Sequence, residues 1–372
     1  MPRSLFLLFL MVLLHLPVLA EDGIPQLTSQ CAKDILSSCS TLGFHYANGD
    51  GVEQSDTKAI ELYKKACNGG DGLGCSNLGY MYAIGRGLKQ DYKKAVELYE
   101  KACDAGEALG CFNLGVRYAS GQGVNQNSEQ AAELYKSACE GNEPLGCYNL
   151  ALFYEKGEGV AQNYFKAAEL YEEACNEGEG LACSNLGLLY DKGNGVRQDY
   201  RKAIELYARS CELQVGLGCS NLGLMYSKGL GVKEDLVRAL ELYREACGLN
   251  DLKSCYYAGL AYAHGSGAKI DYDKAANLYA KACDGEEAFA CANLGLMYDQ
   301  GKGMVEDDRK AVTLYLKACE LGDGLGCTDL AQMYLKGNGV DQDQGKAKEF
   351  FGKACDLKNQ EGCEEYAKLN TK

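Results

Sequence analysis

The chain contains few histidines and fewer basic than acidic residues. Histidine occurs three times in 372 residues. Only His45 and His264 lie beyond the N-terminal segment of residues 1–20, and two histidines are too few for a histidine-rich zinc site. The net charge of −14 repels nucleic acid and anionic membrane surfaces. Beyond that segment, no stretch approaches the roughly 18 consecutive apolar residues of a membrane span. We therefore expect no metal, no cofactor, no nucleic-acid partner and no membrane span.

The first 20 residues are typical of a secretory signal peptide. Arg3 precedes the apolar run from Leu5 to Leu16, and Val18-Leu19-Ala20 suits cleavage before Glu21. A Glu rather than a Cys after the cleavage site argues against a lipoprotein. We therefore predict that residues 1–20 are removed and that the mature protein is periplasmic or secreted.

Twenty cysteines form ten C-x7-C pairs that recur every 36 residues without an insertion or deletion. A fixed period of this size indicates a solenoid of stacked supersecondary units. In an oxidising compartment such cysteines form disulfides, and their spacing differs from the C-x2-C spacing of many zinc sites. We therefore interpret all twenty as disulfide partners.

The spacing also predicts which cysteines pair. Eight residues of one helix span about 12 Å, whereas bridged Cα atoms lie within about 7 Å, so the chain must reverse direction inside each pair. The run from Asn68 to Gly72 permits such a reversal. The predicted bridges are Cys31–Cys39, Cys67–Cys75, Cys103–Cys111, Cys139–Cys147, Cys175–Cys183, Cys211–Cys219, Cys247–Cys255, Cys283–Cys291, Cys319–Cys327 and Cys355–Cys363.

One repeat, Leu73 to Ala108, shows the helical pattern. Its residues Cys75, Leu78, Gly79 and Tyr82 lie at i, i+3, i+4 and i+7, which predicts the core-facing side of a helix, here called helix A. Two glycines end this helix, and a second amphipathic segment, helix B, follows. We interpret the recurrent tyrosine as core packing rather than as part of a cofactor site.

The loop between the two helices repeats strictly. Its glycines indicate positive φ or close backbone approach. The residue before helix B is always a good N-cap: Ser55, Asp91, Asn127, Asn163, Asp199, Asp235, Asp271, Asp307 and Asp343. The pattern predicts an all-α solenoid of αα-hairpins wound as a right-handed superhelix. We assign residues 21–36 to an N-terminal capping helix, 37–360 to nine repeats and 361–372 to a C-terminal capping helix.

The repeat resembles a known family. Leu186 to Tyr190, Gly193 to Val196 and Gln198 to Ser210 resemble the pattern L-G-x-x-Y, G-x-G-V and Q-D-Y-x-K-A-x-E-L-Y-x-x-A of Sel1-like repeats, relatives of the tetratricopeptide repeat. With the cysteine pairs, the chain resembles the Helicobacter cysteine-rich proteins over nearly all of the predicted mature length. The chain departs from the pattern at Thr41 and Tyr257, which replace a recurrent Asn, at Ser210, which replaces Ala, and at Phe351, which replaces Tyr.

The resemblance implies two functions of different classes. Sel1-like proteins serve mostly as scaffolds that bind peptides or proteins. The cysteine-rich family has been credited with penicillin binding and slow β-lactam hydrolysis, which would make β-lactams or peptidoglycan-like small molecules the ligands. We prefer the scaffold and expect a monomer.

The side of helix A opposite its core positions carries Asn77, Met81 and Ile84, and it would line the concave groove of such a solenoid. Amides, methionines and lysines there suit a peptide with acidic residues or a free C-terminus. Alternatively, each Asn bonds the backbone of the neighbouring repeat, and the lysines are merely solvated. The candidate groove residues are Asn77, Asn113, Asn149, Lys156, Asn185, Lys192, Asn221, Lys228 and Asn293.

An enzymatic site has little support in the sequence. Serine β-lactamases need an S-x-x-K element together with K-T-G-like and S-D-N-like elements. Ser55 to Lys58 and Ser266 to Lys269 match the first element alone, at loop or helix-start positions where a capping role is the simpler interpretation. No catalytic residue is therefore assigned.

Overall fold

The computed structural model describes residues 23–370, and the predicted signal peptide lies outside the described residues. These residues contain 20 α-helices and no β-strand, which confirms the predicted all-α class. The chain forms two compact units that divide between Asn163 and Tyr164, and each is described by itself. No described helix has the length and apolar character needed to cross a membrane.

The first unit holds α1 and seven further helices in which A and B types alternate. Helix α1 spans Ile24–Ala32. The A helices are α2 (Leu36–Asn48), α4 (Gly72–Ile84), α6 (Ala108–Ser120) and α8 (Pro144–Lys156). The B helices are α3 (Asp56–Asn68), α5 (Tyr92–Asp104) and α7 (Ser128–Glu140).

The second unit continues the same alternation with twelve helices. The B helices are α9 (Tyr164–Asn176), α11 (Tyr200–Glu212), α13 (Leu236–Gly248), α15 (Tyr272–Asp284), α17 (Asp308–Glu320) and α19 (Gln344–Asp356). The A helices are α10 (Gly180–Lys192), α12 (Gly216–Lys228), α14 (Leu252–His264), α16 (Ala288–Asp299), α18 (Gly324–Lys336) and α20 (Gln360–Asn370).

The B helices start as predicted. Their N-cap side chains accept a hydrogen bond from a backbone N–H two or three residues later, which satisfies a donor that the helix leaves unpaired. This is seen at Ser55, Asp91, Asn127, Asp199, Asp235, Asp271, Asp307 and Asp343. Most A helices end at a glycine in the left-handed region, such as Gly85 with φ 72°. The hairpin boundaries therefore arise from local capping chemistry.

Small residues bring helix A and helix B of one repeat close together. In the second repeat, Ala95 is fully buried, and the ring of Tyr99 lies over Gly79, where an added Cβ would meet ring atoms at 2.8 and 2.9 Å. Tyr99 is itself buried. The tyrosine of helix B therefore fills the space that the glycine of helix A leaves open, and this packing recurs along both units.

All ten predicted disulfides are present. Bridged Cα atoms lie 4.4–4.7 Å apart, and every sequence separation is 8 residues. No free cysteine remains among the described residues. Each bridge joins the end of a B-type helix to the start of the next A helix, and a loop this short contributes about 2.5 kcal/mol by the chain-entropy estimate. The disulfides therefore strengthen contacts between neighbouring repeats.

One assignment of helix A faces is wrong. Met81 was placed on the groove side, but it is only 2% exposed and belongs to a core cluster with Ala47, Ile60 and Tyr63 of the preceding hairpin. Its equivalents are also buried: Arg117, Phe153, Leu189, Met225 and Met297. The reason is that each A helix packs against the preceding repeat as well as against its own B helix, which widens the buried stripe.

Two pairs of successive A helices share a hydrogen bond from a hydroxyl near the start of one helix to the N-cap of the next. The Oγ of Ser40 donates to Asp71 Oδ2 at the start of the next A helix. In the equivalent pair near the end of the chain, Thr328 Oγ1 donates to an oxygen of the N-cap Asn359 at 3.1 Å. Ala292 of α16 and Asp323 at the start of α18 stand at the equivalent positions, and Asp323 Oδ2 is buried without a hydrogen-bond partner among the described residues. Ala292 has only a methyl group at the position where Ser40 and Thr328 carry the donating hydroxyl.

We therefore expect Ala292→Ser to stabilise the protein by about 1 kcal/mol, because it supplies a donor to a buried acceptor. Thermal unfolding of the oxidised protein measures the effect. Ala290→Ser is the matched control: Ala290 is also fully buried, and a hydroxyl there should lower the melting temperature. A decrease of similar size in both variants would contradict the prediction.

Candidate functional site

The accessible side of each A helix is a stripe at i, i+4, i+7 and i+11, here called the A face. In α12 it consists of Leu217, Asn221, Leu224 and Lys228. Leu217 is 41% exposed, Lys228 is exposed, and the two residues between them are half-buried. The stripe differs from the predicted groove in two ways. It lacks the position of Met225, and it includes the positions of Leu217 and Leu224.

Five A faces of the second unit present these four positions, and α10 and α12 fill them with Leu, Asn, Leu and Lys. Their members are Leu181, Asn185, Leu188 and Lys192 in α10; Leu217, Asn221, Leu224 and Lys228 in α12; Lys253, Tyr257, Leu260 and His264 in α14; Phe289, Asn293, Leu296 and Gln300 in α16; and Leu325, Asp329, Gln332 and Lys336 in α18. All twenty are half-buried or exposed.

Neighbouring A helices touch each other, so their A faces adjoin. Asn221 Nδ2 of α12 donates to Ser184 Oγ of α10 at 3.4 Å. Ser254 Oγ of α14 donates to Ser220 Oγ of α12 at 2.8 Å. The ring of Phe289 in α16 lies 6.1 Å from that of Tyr256 in α14. The A helices α10, α12, α14 and α16 therefore lie side by side within this unit.

The predicted asparagines have different partners. Asn113 Nδ2 of the first unit donates to Ser76 Oγ of the preceding A helix at 3.5 Å, and Asn221 makes the equivalent bond. These bonds tie repeats together, as the alternative interpretation expected, but through side chains rather than backbone. Asn185 donates to Tyr171 Oη at 3.3 Å.

The other asparagines occupy the same repeat position on their A helices. Asn149 and Asn293 donate to the carbonyl oxygen four residues earlier in their own helices, each at 2.8 Å, and Asn77 is half-buried. Lys156 ends α8 in the first unit, and Lys192 and Lys228 end α10 and α12 in the second; all three are exposed. The lysines are available to a partner, whereas most amide nitrogens are already used.

An aromatic group interrupts the A faces at α14. Tyr257 replaces the usual Asn, and its ring lies 5.3 Å from that of Tyr243 and 5.6 Å from that of Tyr256. Phe289 on the next A helix is 53% exposed, and Lys253 Nζ lies 5.9 Å from the Tyr257 ring centroid. The sequence signalled this feature only as a departure from the repeat.

An acidic group lies near the end of the second unit. Asp329 of α18 occupies the position that carries Asn in most repeats. Burial raises the pKa of Asp329 to about 7, and the carboxylates of Glu361, Asp299 and Asp323 act in the same direction. Burial also raises the pKa of Asp323. Sequence analysis missed this group because its members come from three different helices.

The two S-x-x-K matches belong to a helix cap and to a loop. Ser55 Oγ accepts a hydrogen bond from the backbone N–H of Lys58 at 3.4 Å and so caps α3. Ser266 lies between two glycines of positive φ in the loop after α14. Cys211, Cys219 and Glu245 bring three potential metal-ligand atoms within 4.8 Å of one another, but both sulfurs are in a disulfide and cannot act as thiolates.

The repeat is found in known proteins. The Sel1 repeat model matches nine consecutive segments: 37–71, 72–107, 108–143, 144–179, 180–215, 216–251, 252–286, 288–323 and 324–359. The chain belongs to the Sel1 repeat family. The match confirms the predicted repeat and its number. No curated protein matches the chain.

Solved structures include other Sel1-repeat proteins. A protective antigen of uropathogenic Escherichia coli is 27% identical, with 94% of this chain and 82% of that chain covered and a TM-score of 0.62. A Sel1 repeat protein of Oxalobacter formigenes is 29% identical, with 66% and 99% covered and a TM-score of 0.61. Cysteine-rich protein B of Helicobacter pylori is 36% identical, with 36% and 97% covered and a TM-score of 0.30.

Proposed function

We propose that this Sel1-repeat protein is an exported scaffold that binds peptide segments of partner proteins on the A faces of its second unit. Sel1 repeats generally mediate protein interactions, and ten disulfides are typical of an oxidising compartment. The observation that carries the proposal is the surface itself. It keeps the large apolar side chains of Leu217, Phe289 and Leu325 exposed, and the helices of Leu217 and Leu325 end in lysines.

The composition of this surface favours one kind of peptide. Apolar positions accept apolar side chains of an extended segment, and the lysines Lys192 and Lys228 attract carboxylates in a chain that is otherwise acidic. Among the described residues, none donates a hydrogen bond to Asn221 Oδ1, which is free to accept one from a peptide N–H. The partner is therefore an apolar peptide with acidic residues or a free C-terminal carboxylate.

A charge reversal tests this proposal. We expect Lys192→Glu with Lys228→Glu to weaken binding of a fluorescein-labelled octapeptide of alternating Leu and Glu by at least tenfold, because attraction becomes repulsion. Fluorescence anisotropy at fixed ionic strength measures the affinity. Amidation of the peptide C-terminus should weaken binding by a smaller factor. The melting temperature should not change, since both lysines are exposed.

The matched control changes the net charge equally but off the A face. Lys233 and Lys269 are exposed in the loops after α12 and α14, and Lys233→Glu with Lys269→Glu should leave the affinity within twofold of the parent. An equal loss of peptide affinity in both double variants would show that overall charge, rather than the A face, causes the effect. The proposal would be overturned if the unmodified protein bound an octapeptide of alternating Leu and Lys more tightly than the Leu/Glu peptide.

A further inference from the structure

A second candidate site lies on the loops of the second unit, away from the A faces. A cavity of about 950 Å³ is lined by residues at the start of α9, the end of α10, the loop between α10 and α11, the start of α11 and the loop after α12. We call it the Arg197 pocket. Its principal side chains are Phe165, Tyr190, Arg197, Tyr200 and Arg201.

Close packing of loops on helix starts forms the walls of the pocket. Gly195 has φ 71°, and a Cβ there would lie 2.4 Å from the carbonyl carbon of Tyr164. Gly231 of the next loop packs in the same way on Tyr200. Gln198 Nε2 donates to Tyr200 Oη at 3.0 Å and to the Asp191 carbonyl at 2.7 Å, which holds the Tyr200 ring in place.

The charges of the pocket favour an anion. Arg197 and Arg201 are exposed, and neither guanidinium pairs with a carboxylate among the described residues. The only acidic side chain of the lining is Asp199, and its Oδ1 accepts from the backbone N–H groups of Arg201 and Lys202 at 2.9 and 3.1 Å. That carboxylate therefore serves the helix cap, and the lining carries a net charge of +1.

Phe165 adds an apolar surface beside the two guanidiniums. It is 58% exposed, so most of its ring is accessible to a ligand. In the second repeat, Lys89 and Lys93 stand at the positions of the two arginines, but Thr57 stands at the position of Phe165. No other repeat combines two basic residues with an aromatic ring at these positions. The combination is therefore specific to this pocket rather than a property of the repeat.

We propose that the Arg197 pocket binds an oxyanion, a carboxylate or a phosphate, that is carried on a flat apolar group. Guanidinium groups form paired hydrogen bonds to both kinds of oxyanion, and the ring of Phe165 contacts the apolar part of the ligand. This site is independent of the A faces, so its ligand need not be the peptide of the proposed function.

Ligand-observed NMR titrations of the full oxidised chain test the site with three probes: phenyl phosphate, benzoate and inorganic phosphate. We expect saturable binding of an aromatic anion, at least tenfold weaker in Arg197→Gln with Arg201→Gln. Whichever of phenyl phosphate and benzoate binds more tightly identifies the preferred oxyanion as a phosphate or a carboxylate. Phe165→Ala should reduce the affinity for phenyl phosphate to that for inorganic phosphate.

Arg238→Gln is the control, because Arg238 is an exposed arginine of the same unit whose Nη1 already pairs with Glu241 at 2.9 Å. It should leave every affinity unchanged. Signals that never saturate, binding unaffected by the Arg197 and Arg201 changes, or an equal loss in Arg238→Gln would each overturn the proposal. Circular dichroism of each variant confirms that the helices are retained.

Discussion

Replacing Gly267 with alanine is expected to lower the free energy of unfolding by about 3 kcal/mol. Gly267 follows α14 and has φ +78°, in the left-handed region where a side chain is strained. An added Cβ would lie 2.1 Å from the carbonyl oxygen of Leu236, the first residue of α13. Because this obstacle is backbone, the loop would have to move away from the preceding hairpin.

Urea unfolding of oxidised protein measures this effect. The matched control is Gly248→Ala at the end of α13, where no atom lies within 4 Å of an added Cβ and φ is not in the left-handed region. That variant should change stability by less than about 1 kcal/mol. Equal stability of the two variants would show that the loops do not hold neighbouring repeats together.

Asp329→Asn is expected to stabilise the protein by about 2 kcal/mol at pH 8 and to have no effect at pH 4. Burial raises the pKa of Asp329 to about 7, and the nearby carboxylates of Glu361, Asp299 and Asp323 add to the rise, while Lys336 opposes it. The substitution introduces the residue that most repeats carry at this position.

The direction of the pH dependence follows from proton binding. The folded state holds the proton of Asp329 more tightly than the unfolded state does, so its destabilising effect is absent below pH 4. It grows as the pH rises from about 4 towards 7 and is complete above 7. The gain from Asp329→Asn should therefore appear across that window in melting curves recorded at several pH values.

A control carboxylate in the same repeat isolates the local effect. Asp341 lies exposed in the loop before α19, and Asp341→Asn changes the net charge by the same amount. It should leave the melting temperature nearly unchanged at pH 4 and pH 8. If both variants stabilise equally at pH 8, overall charge rather than the Asp329 group is responsible.

The local parts of the fold were predictable from sequence. The N-cap Asp271 and the bridge between Cys283 and Cys291 are both as predicted, because a cap acts on N–H groups two or three residues away and the bridge spans eight residues. Interactions of such short range depend on sequence spacing alone. The same holds for the glycines that end most A helices.

The candidate sites were only partly predictable. The exposure of Lys192 and Lys228 agrees with the sequence interpretation, but Met81 is buried because the preceding hairpin covers it. The Arg197 pocket joins residues from two B helices, one A helix and two loops, and Phe165 is not among the residues that the sequence analysis singled out. These sites depend on which repeats touch, which a period of 36 residues does not specify in atomic detail.

The sequence alone determined that this protein is a run of helical hairpins joined by short disulfides, since helix periodicity, capping and cysteine spacing all act within one repeat. Tertiary structure decided which stripe of helix A remains accessible, where burial raises the pKa of a carboxyl group and where two arginines and an aromatic ring line one cavity. These properties arise from burial and charge between residues of different hairpins. They depend on distances in space rather than along the chain.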